Sequence, residues 1–258
     1  MTFQSRFGAA AEAYDSYRPE YPAEVFEFIL THVSLDHRHF ALDLGAGTGR
    51  ATRGLAGHFE KVIAVEPDSK MANKIRGFAP GVAVQIATAE DCAVQPDSID
   101  VIVVANALHW MDAPLVMKNV TRWLHVSGIF ALIDPPFPRT PKPIREIVRQ
   151  EFHEHWESFR DPRLGKAGNR KERIWQSLII STQGLALLEE RTIANINPLT
   201  AAEFVGFWQS TSYGSAYARS LDDSASYWQD LEYRFRSAWP KEKIPVDFSP
   251  LVLLAKKE

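Results

Sequence analysis

Three glycines occupy alternate positions directly after a short apolar run, in the stretch ALDLGAGTGR at residues 41–50. Such a stretch is typical of a strand that turns sharply into a helix. Because Gly45, Gly47 and Gly49 carry no Cβ atom, the backbone N–H groups of the turn and the start of the helix can approach a ligand closely. The stretch therefore predicts that a polar ligand lies against this turn, and the alternative is a tight turn that binds nothing.

Short apolar runs alternate with helical or turn segments along the first half of the chain. Four of them are FALDL, KVIAVE, VAVQIA and IDVIVVA, and a fifth, SGIFALID, follows a helical segment at LVMKNVTRWL. Alternation of this kind builds βαβ units, whose strands lie parallel in one sheet. The chain is therefore predicted to be an α/β protein, with a helix over AEVFEFILTHV before the first strand and a closing strand within VDFSPLVLLAKK.

The composition restricts the partners and the compartment. The net charge of −3 comes from 29 Lys and Arg against 32 Asp and Glu, and the chain has no long basic tract, so nucleic acid is not expected as a partner. The single cysteine, Cys92, excludes an intramolecular disulfide and fits a reducing compartment. We expect a cytoplasmic protein without a membrane span, since the first residues lack the apolar core of a signal peptide and the apolar stretches are too short to cross a bilayer.

An acidic residue, Glu66, closes the second apolar run about 20 residues after Gly45, which is the separation at which an acid accepts hydrogen bonds from ribose hydroxyls. The same separation fits a dinucleotide dehydrogenase. The dehydrogenase fingerprint, however, has its third glycine one position after Gly49, where this chain has Arg50. An NAD-dependent oxidoreductase is therefore the first alternative hypothesis.

Four motifs in order, LDLGAGTGR, VIAVEPDSKM, TAED and IDVIVVANALHWMD, resemble those of class I S-adenosylmethionine-dependent methyltransferases. The stretches YRPEYP and ALHWMD are similar to a small-molecule branch of this class, the methyltransferase type 11 family, which is related to trans-aconitate methyltransferase. The resemblance implies a doubly wound, mostly parallel seven-stranded sheet of Rossmann-like topology. It also implies S-adenosyl-L-methionine as the cofactor and a small molecule as the methyl acceptor.

The resemblance further implies which residues hold the cofactor. Asp43, Gly45 and Gly47 would hold its methionine part, Glu66 would accept from its ribose, and Met71 would touch its adenine. The full predicted cofactor set is Arg18, Asp43, Gly45, Ala46, Gly47, Glu66, Pro67, Met71, Ala89, Glu90, Asn106 and Ala107.

Two parts of this set have other interpretations. In TAED, Ala89 and Glu90 stand where the family places the turn that contacts adenine, but Asp91 could replace Glu90, and the two acids could instead cap a helix. Asn106 ends the fourth strand, at the rim where ligands bind in open α/β sheets, and it could also be only a turn residue. Members of the class that methylate amides or nucleic-acid bases carry Asn-Pro-Pro-Tyr there, whereas this chain has Asn106-Ala107-Leu108-His109.

The same comparison bears on metal use. Metal-assisted enzymes of the catechol type would need a carboxylate in place of Asn106. The sequence shows no His or Asp cluster with the spacing of metal ligands, so no metal is predicted.

His109 is the candidate catalytic residue, because a phenol or protonated amine acceptor must lose a proton and an imidazole titrates near working pH. A carboxylate acceptor would need no base, and His109 would then shape the pocket together with Trp110. Tyr14 and Tyr17 are predicted to contact the substrate from a lid, and Arg18 beside them to meet the carboxylate of the cofactor. The alternative is a surface segment packed on the sheet edge.

The proline-dense stretch DPPFPRTPKP ends the regular alternation, and helical patterns without strand signals run from Ile144 to about Glu190. We interpret this region as a helical cap inserted after the fifth strand. Its basic run, KAGNRKER, is a solvated face or a patch that attracts an anionic acceptor. The expected organisation is a single domain over 1–258, with an N-terminal lid at 1–22, a cofactor-binding core at 23–134, the cap at 135–190, and strands and helices at 191–258.

The leading hypothesis is a methyltransferase that acts on a carboxylate, hydroxyl or amine of a small molecule, as a monomer or homodimer. A further alternative is a protein that binds S-adenosylmethionine without catalysis and regulates an active partner.

Overall fold

The strands of the computed structural model, which describes residues 11–76, 80–162 and 171–258, fall into a large sheet and a small one. They are β1 (Phe40–Leu44), β2 (Lys61–Val65), β3 (Val82–Gln85), β4 (Ile99–Ala105), β5 (Leu124–Asp134), β6 (Leu185–Thr192), β7 (Ile196–Leu199), β8 (Ile244–Asp247) and β9 (Leu251–Lys257). The large sheet has the order β3-β2-β1-β4-β5-β9-β6, and β7 pairs with β8 in the small one. In the large sheet β1 to β5 pair in parallel, whereas β9 runs antiparallel to both β5 and β6. The predicted mostly parallel seven-stranded sheet is confirmed.

The described residues also form ten α-helices. They are α1 (Ala11–Tyr17), α2 (Ala23–Leu30), α3 (Arg50–Leu55), α4 (Ser69–Ile75), α5 (Ala113–Trp123), α6 (Lys142–Glu151), α7 (Lys171–Ser181), α8 (Ala201–Gln209), α9 (Ser212–Ala218) and α10 (Ser224–Ala238), with short 3₁₀ segments at Leu35–His37, Leu108–Trp110 and Glu157–Phe159 and a π turn at Phe152–Trp156. None of the helices described is long and apolar enough to span a membrane.

Both faces of the large sheet are covered, which explains why its central strands are apolar at nearly every position. Successive side chains of a strand point to opposite faces. Accordingly Ile102 and Val104 of β4 pack with α5 and α7, whereas Val101 and Val103 pack with α2 and α3. This arrangement is the doubly wound fold expected of the sequence.

Contacts between residues divide the chain into two compact units. The sheet unit comprises residues 20–76, 80–136, 171–193 and 249–258, and it holds the whole large sheet. The aromatic unit comprises residues 11–19, 137–162 and 194–248. These segments do not follow the predicted boundaries, because α7 and β6 of the expected cap belong to the sheet unit.

The aromatic unit is organised around large rings. Trp156 and Trp208 are both fully buried, with ring centroids 4.9 Å apart. Beside them the buried carboxylate of Glu151 accepts a hydrogen bond of 2.6 Å from the hydroxyl of Tyr227 and pairs with the guanidinium of Arg234. A buried charge with two donors is much less costly than an unpaired one, so this contact stabilises the packing of α6 against α10.

The expectation that the cap has no strand up to Glu190 is wrong at its end. The residues Leu185–Thr192 form β6, an edge strand whose one partner among the described strands is β9. An edge strand tolerates charge because part of it faces water, and β6 carries Glu189, Glu190 and Arg191. Because of these charges, the sequence of this segment resembles that of a polar helix and not that of a strand. Lys166 and Arg170 of the basic run lie outside the described residues, as do the side chains of Lys171 and Arg173.

Gly54 allows α3 to lie against α2. A Cβ atom at this position would lie 2.0 Å from the ring of Phe26, which is buried in α2. Gly54→Ala is therefore expected to destabilise the fold by about 1–2 kcal/mol, because overpacking outweighs the gain of roughly 1 kcal/mol in helix propensity. The measurement is urea unfolding of wild type, Gly54→Ala, Phe26→Leu and the double variant. In the Phe26→Leu background the alanine should be neutral or stabilising, and a more stable Gly54→Ala single variant would contradict this packing argument.

Candidate cofactor site and active site

The carboxyl ends of three neighbouring strands meet at one edge of the large sheet. Leu44, the last residue of β1, is in register with Val65 of β2 and with Val104 of β4. The loops that follow these strands therefore lie side by side. The ends of these strands, the loops after them and the start of α4 carry most of the predicted site residues, which are Asp43, Gly45, Ala46, Gly47, Glu66, Pro67, Met71, Asn106, Ala107, His109 and Trp110.

Gly45 is required by the packing of the protein itself. Its φ is +69°, and a Cβ atom there would lie 2.7 Å from Cβ of Ala107 and 2.7 Å from Cε of Met111. The N–H groups of Gly45 and Ala46 both donate to the carbonyl oxygen of Val65, at 2.9 and 3.0 Å. This glycine thus lets the β1 loop lie between the ends of β2 and β4.

Gly47 has the opposite surroundings. Its φ is +58°, and a Cβ atom there would meet no atom of the described residues within 4 Å. Its N–H donates to Oε2 of Glu66 at 2.8 Å. The backbone at Gly47 is therefore open to a ligand on the side where a side chain would stand, as the glycine pattern predicts.

Glu66 is held by backbone donors on both of its oxygens. Oε1 accepts from the N–H of Asp68 at 2.8 Å, while Oε2 accepts from Gly47. Burial raises the pKa of Glu66 to about 7, and the two backbone hydrogen bonds offset only part of that shift. Because each carboxylate oxygen has two acceptor positions, Glu66 can still accept hydrogen bonds from two hydroxyl groups.

Asp43 is a fully buried carboxylate in β1. Its Oδ2 accepts from the hydroxyl of Thr52 at 2.6 Å, but its Oδ1 has no hydrogen-bond partner in the described part of the chain. Burial raises the pKa of Asp43 to about 6. The hydroxyl of Thr48, within the glycine loop, also lacks a partner among the described residues. Sequence reasoning missed Thr48, although its place between two glycines was the signal that could have found it.

The loop after β4 is strained where the site needs a sharp turn. Asn106 has φ +52°, which is uncommon for a residue other than glycine, and its N–H donates to the carbonyl oxygen of Ile133 at 2.8 Å. The following 3₁₀ segment places the rings of His109 and Trp110 with centroids 4.8 Å apart, and both side chains are partly exposed. The two predicted acceptor-side residues therefore form one small surface at this edge.

Comparison with known proteins agrees with this geometry. Residues 42–132 match the methyltransferase domain family. An uncharacterized methyltransferase of Mycobacterium bovis is 35% identical over 127 residues, which are 49% of this chain and 51% of that protein. The YcgJ methyltransferase of Bacillus subtilis is 27% identical over 189 residues, which are 71% of this chain and 72% of that protein. A solved structure from Anaeromyxobacter dehalogenans, assigned to the type II methyltransferases, has a TM-score of 0.71 at 23% identity and covers 93% of this chain and 97% of its own.

Residues 42–132 match a methyltransferase domain, and the large sheet has the class I methyltransferase fold. The chain spans about half the length of the Mycobacterium relative that it matches. S-adenosylmethionine is the cofactor of the domain, and these matches do not support the alternative of an NAD-dependent oxidoreductase.

The methyltransferase domain offers groups that fit this cofactor. The Asp43 carboxylate suits the ammonium of the methionine part, since it is a buried anion whose Oδ1 lacks a donor among the described residues, and a cation would offset the cost of burying it. Glu66 suits the two ribose hydroxyls, and the open side of Gly47 admits a ligand to the backbone. Met71 is buried in α4, where its N–H and that of Lys70 donate to the side chain of Asp68.

The acids of TAED are both used within the methyltransferase domain. Oε1 of Glu90 accepts from the N–H of Asp112 at 2.7 Å, just before α5, whereas Asp91 exchanges hydrogen bonds with Thr88 in an exposed local turn. Ala89 is buried beside them. Glu90 therefore joins the predicted adenine turn to the start of α5, and contact of Ala89 and Glu90 with adenine stays a prediction.

Three predicted residues lie in the aromatic unit. Arg18 donates from Nε to the hydroxyl of Ser210 at 2.9 Å, and its guanidinium lies over the rings of Phe207 and Tyr14 at 4.5 and 5.2 Å. Tyr17 packs its ring over Gly206, where a Cβ atom would lie only 2.3 Å away. These contacts attach α1 to α8. The roles predicted for Tyr14, Tyr17 and Arg18 as lid, substrate and cofactor contacts stay predictions.

The two glycines are expected to respond differently to alanine. Gly47→Ala should weaken S-adenosylhomocysteine binding by about tenfold or more, or roughly 1.4 kcal/mol, because the new Cβ occupies the open side. Gly45→Ala should mainly lower stability through its contacts with Ala107 and Met111. Calorimetric titration and thermal unfolding of both variants test this difference.

Gly57 is a matched control for backbone strain, since it has φ +84° and an added Cβ would likewise meet no described atom within 4 Å. Gly57→Ala and Gly47→Ala should lose similar stability, about 1–2 kcal/mol, while only the latter loses affinity. Equal affinity in the two variants would show that no ligand approaches Gly47.

Cofactor affinity is expected to rise as the pH increases from about 6 to about 8. Burial places the pKa of Glu66 at about 7, so the ligand-free protein holds this acid partly protonated at the lower pH. Ribose hydroxyls donate to the ionised form, and binding therefore releases a proton below pH 7. Calorimetric titration with S-adenosylhomocysteine across this range is the measurement.

The Glu66→Gln variant should bind S-adenosylhomocysteine more weakly, and its affinity should no longer change with pH above about pH 6.5. The change that remains at lower pH should come from Asp43, whose pKa is about 6. Asp91→Asn, which removes an exposed carboxylate from a neighbouring turn, is the control and should keep the wild-type dependence. A wild-type affinity that is constant over the range would contradict the role of Glu66.

Proposed function

We propose that this protein transfers the methyl group of S-adenosylmethionine to a small-molecule acceptor. The observation that carries the proposal is the arrangement at one sheet edge of the open backbone of Gly47, the Glu66 carboxylate bonded to it, and the incompletely paired Asp43. The match of residues 42–132 to the methyltransferase domain family supports it. A small acceptor is favoured because the net charge is −3 and the chain has no long basic tract.

When bound, the cofactor supplies a methyl group on a positively charged sulfur, which leaves as a thioether when an acceptor lone pair attacks the carbon in line. The residues of the chain then have mainly to position the reactants and exclude water. Asp43 and Glu66 would hold the two polar parts of the cofactor, the methionine part and the ribose. His109 and Trp110 lie on the loop after β4, at the same edge, where they can orient an acceptor.

The acceptor class depends on whether a proton must be removed. With a hydroxyl or protonated amine acceptor, His109 accepts the proton at a ring nitrogen. With a carboxylate acceptor the nucleophile is already ionised at neutral pH, and His109 only shapes the pocket. A cytoplasmic location is part of the proposal and rests on the single, buried cysteine, Cys92.

The direct test is a screen for transfer of labelled methyl groups from S-adenosylmethionine to extracted metabolites, preceded by calorimetric titration with S-adenosylhomocysteine and NAD. Binding of S-adenosylhomocysteine and label in a small-molecule fraction are expected. Binding of NAD alone would overturn the methyltransferase proposal. Binding of the cofactor without transfer to any fraction would favour a non-catalytic partner subunit.

His109→Gln distinguishes the two roles of the imidazole. If His109 is the base, turnover should fall by roughly 100-fold and the acidic limb of the pH profile should disappear, because glutamine cannot accept the proton. If it only shapes the pocket, KM for the acceptor should rise and the pH profile should survive. The measurement is kcat and KM against pH with the identified acceptor.

Trp110→Phe is the control, since it alters the neighbouring surface without a titratable group. It should change KM but not the shape of the pH profile. Wild-type activity and an unaltered profile in His109→Gln would remove His109 from both roles.

A further inference from the structure

A second cluster of ionisable side chains lies at the sheet edge opposite the glycine loop. Asp100 is the second residue of β4, His125 is the second residue of β5, and His37 ends the 3₁₀ segment that precedes β1. One potential ligand atom of each lies within 4.8 Å of the other two. The cofactor residues follow the carboxyl ends of the parallel strands, whereas these three lie near the amino ends, so the cluster is separate from the cofactor site.

Asp100 is fixed in place by the backbone. Its side chain is 5% exposed, and its Oδ2 accepts from the N–H groups of His39 and Phe40 at 3.0 and 2.6 Å. These two bonds hold the carboxylate still and leave Oδ1 for other partners. Oδ1 lies 3.0 Å from Nε2 of His125 and 3.8 Å from Nδ1 of His37.

The second ring nitrogen of His125 determines its tautomer. Nδ1 contacts the carbonyl oxygen of Val126, and a carbonyl can only accept, so Nδ1 carries the proton. In the neutral ring Nε2 then presents a lone pair. This buried atom is near Oδ1 of Asp100 but is misaligned for a hydrogen bond and has no hydrogen-bond partner among the described residues.

The unprotonated Nε2 of His125 and Oδ1 of Asp100 are 3.0 Å apart, so they repel each other unless a cation lies between or beside them. The cation is either a proton on His125 or a metal ion bound by both atoms. Because Nε2 and Oδ1 are close but misaligned for a hydrogen bond, a proton on Nε2 would be poorly shared between them, which favours the metal ion.

A local irregularity of the sheet brings His125 to this place. Ile99 is in register with Leu124 and Val101 with Ile129, so residues 125–128 all lie opposite Asp100. Ser127 within this bulge has φ +73°. A bulge changes the direction of the side chains that it contains, and here it directs His125 toward Asp100.

We propose that His37, Asp100 and His125 form a binding site for a divalent transition-metal ion, of which zinc fits best. Two imidazole nitrogens and one carboxylate oxygen are ligands that zinc accepts, with water in the fourth position. Tetrahedral ligands at about 2.0–2.1 Å from zinc are about 3.3 Å apart, and the observed separations of 3.0 and 3.8 Å lie on either side of that value. The carbonyl oxygen of Val126 orients the His125 ring in the way that metal-bound histidines usually require.

The metal ion would join three parts of the sheet unit, namely the segment before β1, the start of β4 and the bulge of β5. The site is independent of methyl transfer, because none of the cofactor residues contributes to it. The neighbouring His39 does not belong to the site, since its Nδ1 lies 3.0 Å from Oε1 of Glu60 and that contact raises the pKa of His39. His39 is therefore a matched control at the same edge.

The test is calorimetric titration and thermal unfolding of the full chain, stripped with a chelator, in the presence of Zn²⁺ or Mg²⁺. We expect one Zn²⁺ per chain, a Tm that rises with Zn²⁺ concentration, and no comparable rise with Mg²⁺. Co²⁺ should give the visible absorption of a tetrahedral nitrogen and oxygen site.

His37→Ala and His125→Ala should each weaken Zn²⁺ binding by at least about tenfold, while His39→Ala should leave it unchanged. His37 is half-exposed, so its substitution also covers the case in which His125→Ala fails to fold. Binding that is equal in His37→Ala and wild type would overturn the proposal. So would a chain whose Tm does not respond to Zn²⁺ but rises as the pH falls through the histidine range, since a proton would then be the cation at Asp100.

Discussion

The hydrogen bond from the Gly47 N–H to the carboxylate of Glu66 connects the glycine loop to the end of β2, and the rest of the candidate site depends on it. It fixes the direction of the buried Glu66 carboxylate next to Gly47, whose side-chain position faces no atom of the described residues within 4 Å. Asp43, one strand away, is buried, and one of its oxygens lacks a donor in the described part of the chain. Without a ligand the two carboxylates thus lack some of the hydrogen bonds that they can accept. A ligand that donates those hydrogen bonds should therefore stabilise the folded protein.

The glycine pattern combines two physical requirements that look identical in sequence. Gly45 is needed because Ala107 and Met111 occupy the space of its side chain, whereas a side chain at Gly47 would meet no atom of the described residues and would instead fill the space proposed for a ligand. Sequence reasoning could propose close approach at both positions but could not say what approaches. The two cases are distinguished by Ala107 and Met111, which follow β4 more than fifty residues later in the chain and contact only the Gly45 position.

Much of the fold could be predicted because parallel strands buried on both faces appear as continuous apolar runs. The acid at the end of β2 and the loop after β4 could be placed by their order relative to those strands. Strand β6 could not be predicted, since its exposed edge permits charges that resemble a polar helix. The cluster of His37, Asp100 and His125 was missed for another reason. Metal-ligand spacing is searched along the chain, and these residues meet only where three strands begin, one of them through a bulge.

The position of β9 has a consequence for how the sheet is assembled. Strands β1 to β5 pair in parallel with one another and all end by Asp134, so this part of the sheet can form while later residues are still being synthesised. Strand β6 is different, because its hydrogen-bond partner is β9, which is translated roughly sixty residues afterwards and which must also close onto β5. Throughout that interval β6 remains an unpaired strand with an apolar side, the kind of segment that invites association with another chain. Charged side chains on a strand disfavour its pairing with the strands of other chains, and β6 carries Glu189, Glu190 and Arg191. The residues that make β6 hard to predict from the sequence therefore also disfavour aggregation before β9 has been synthesised.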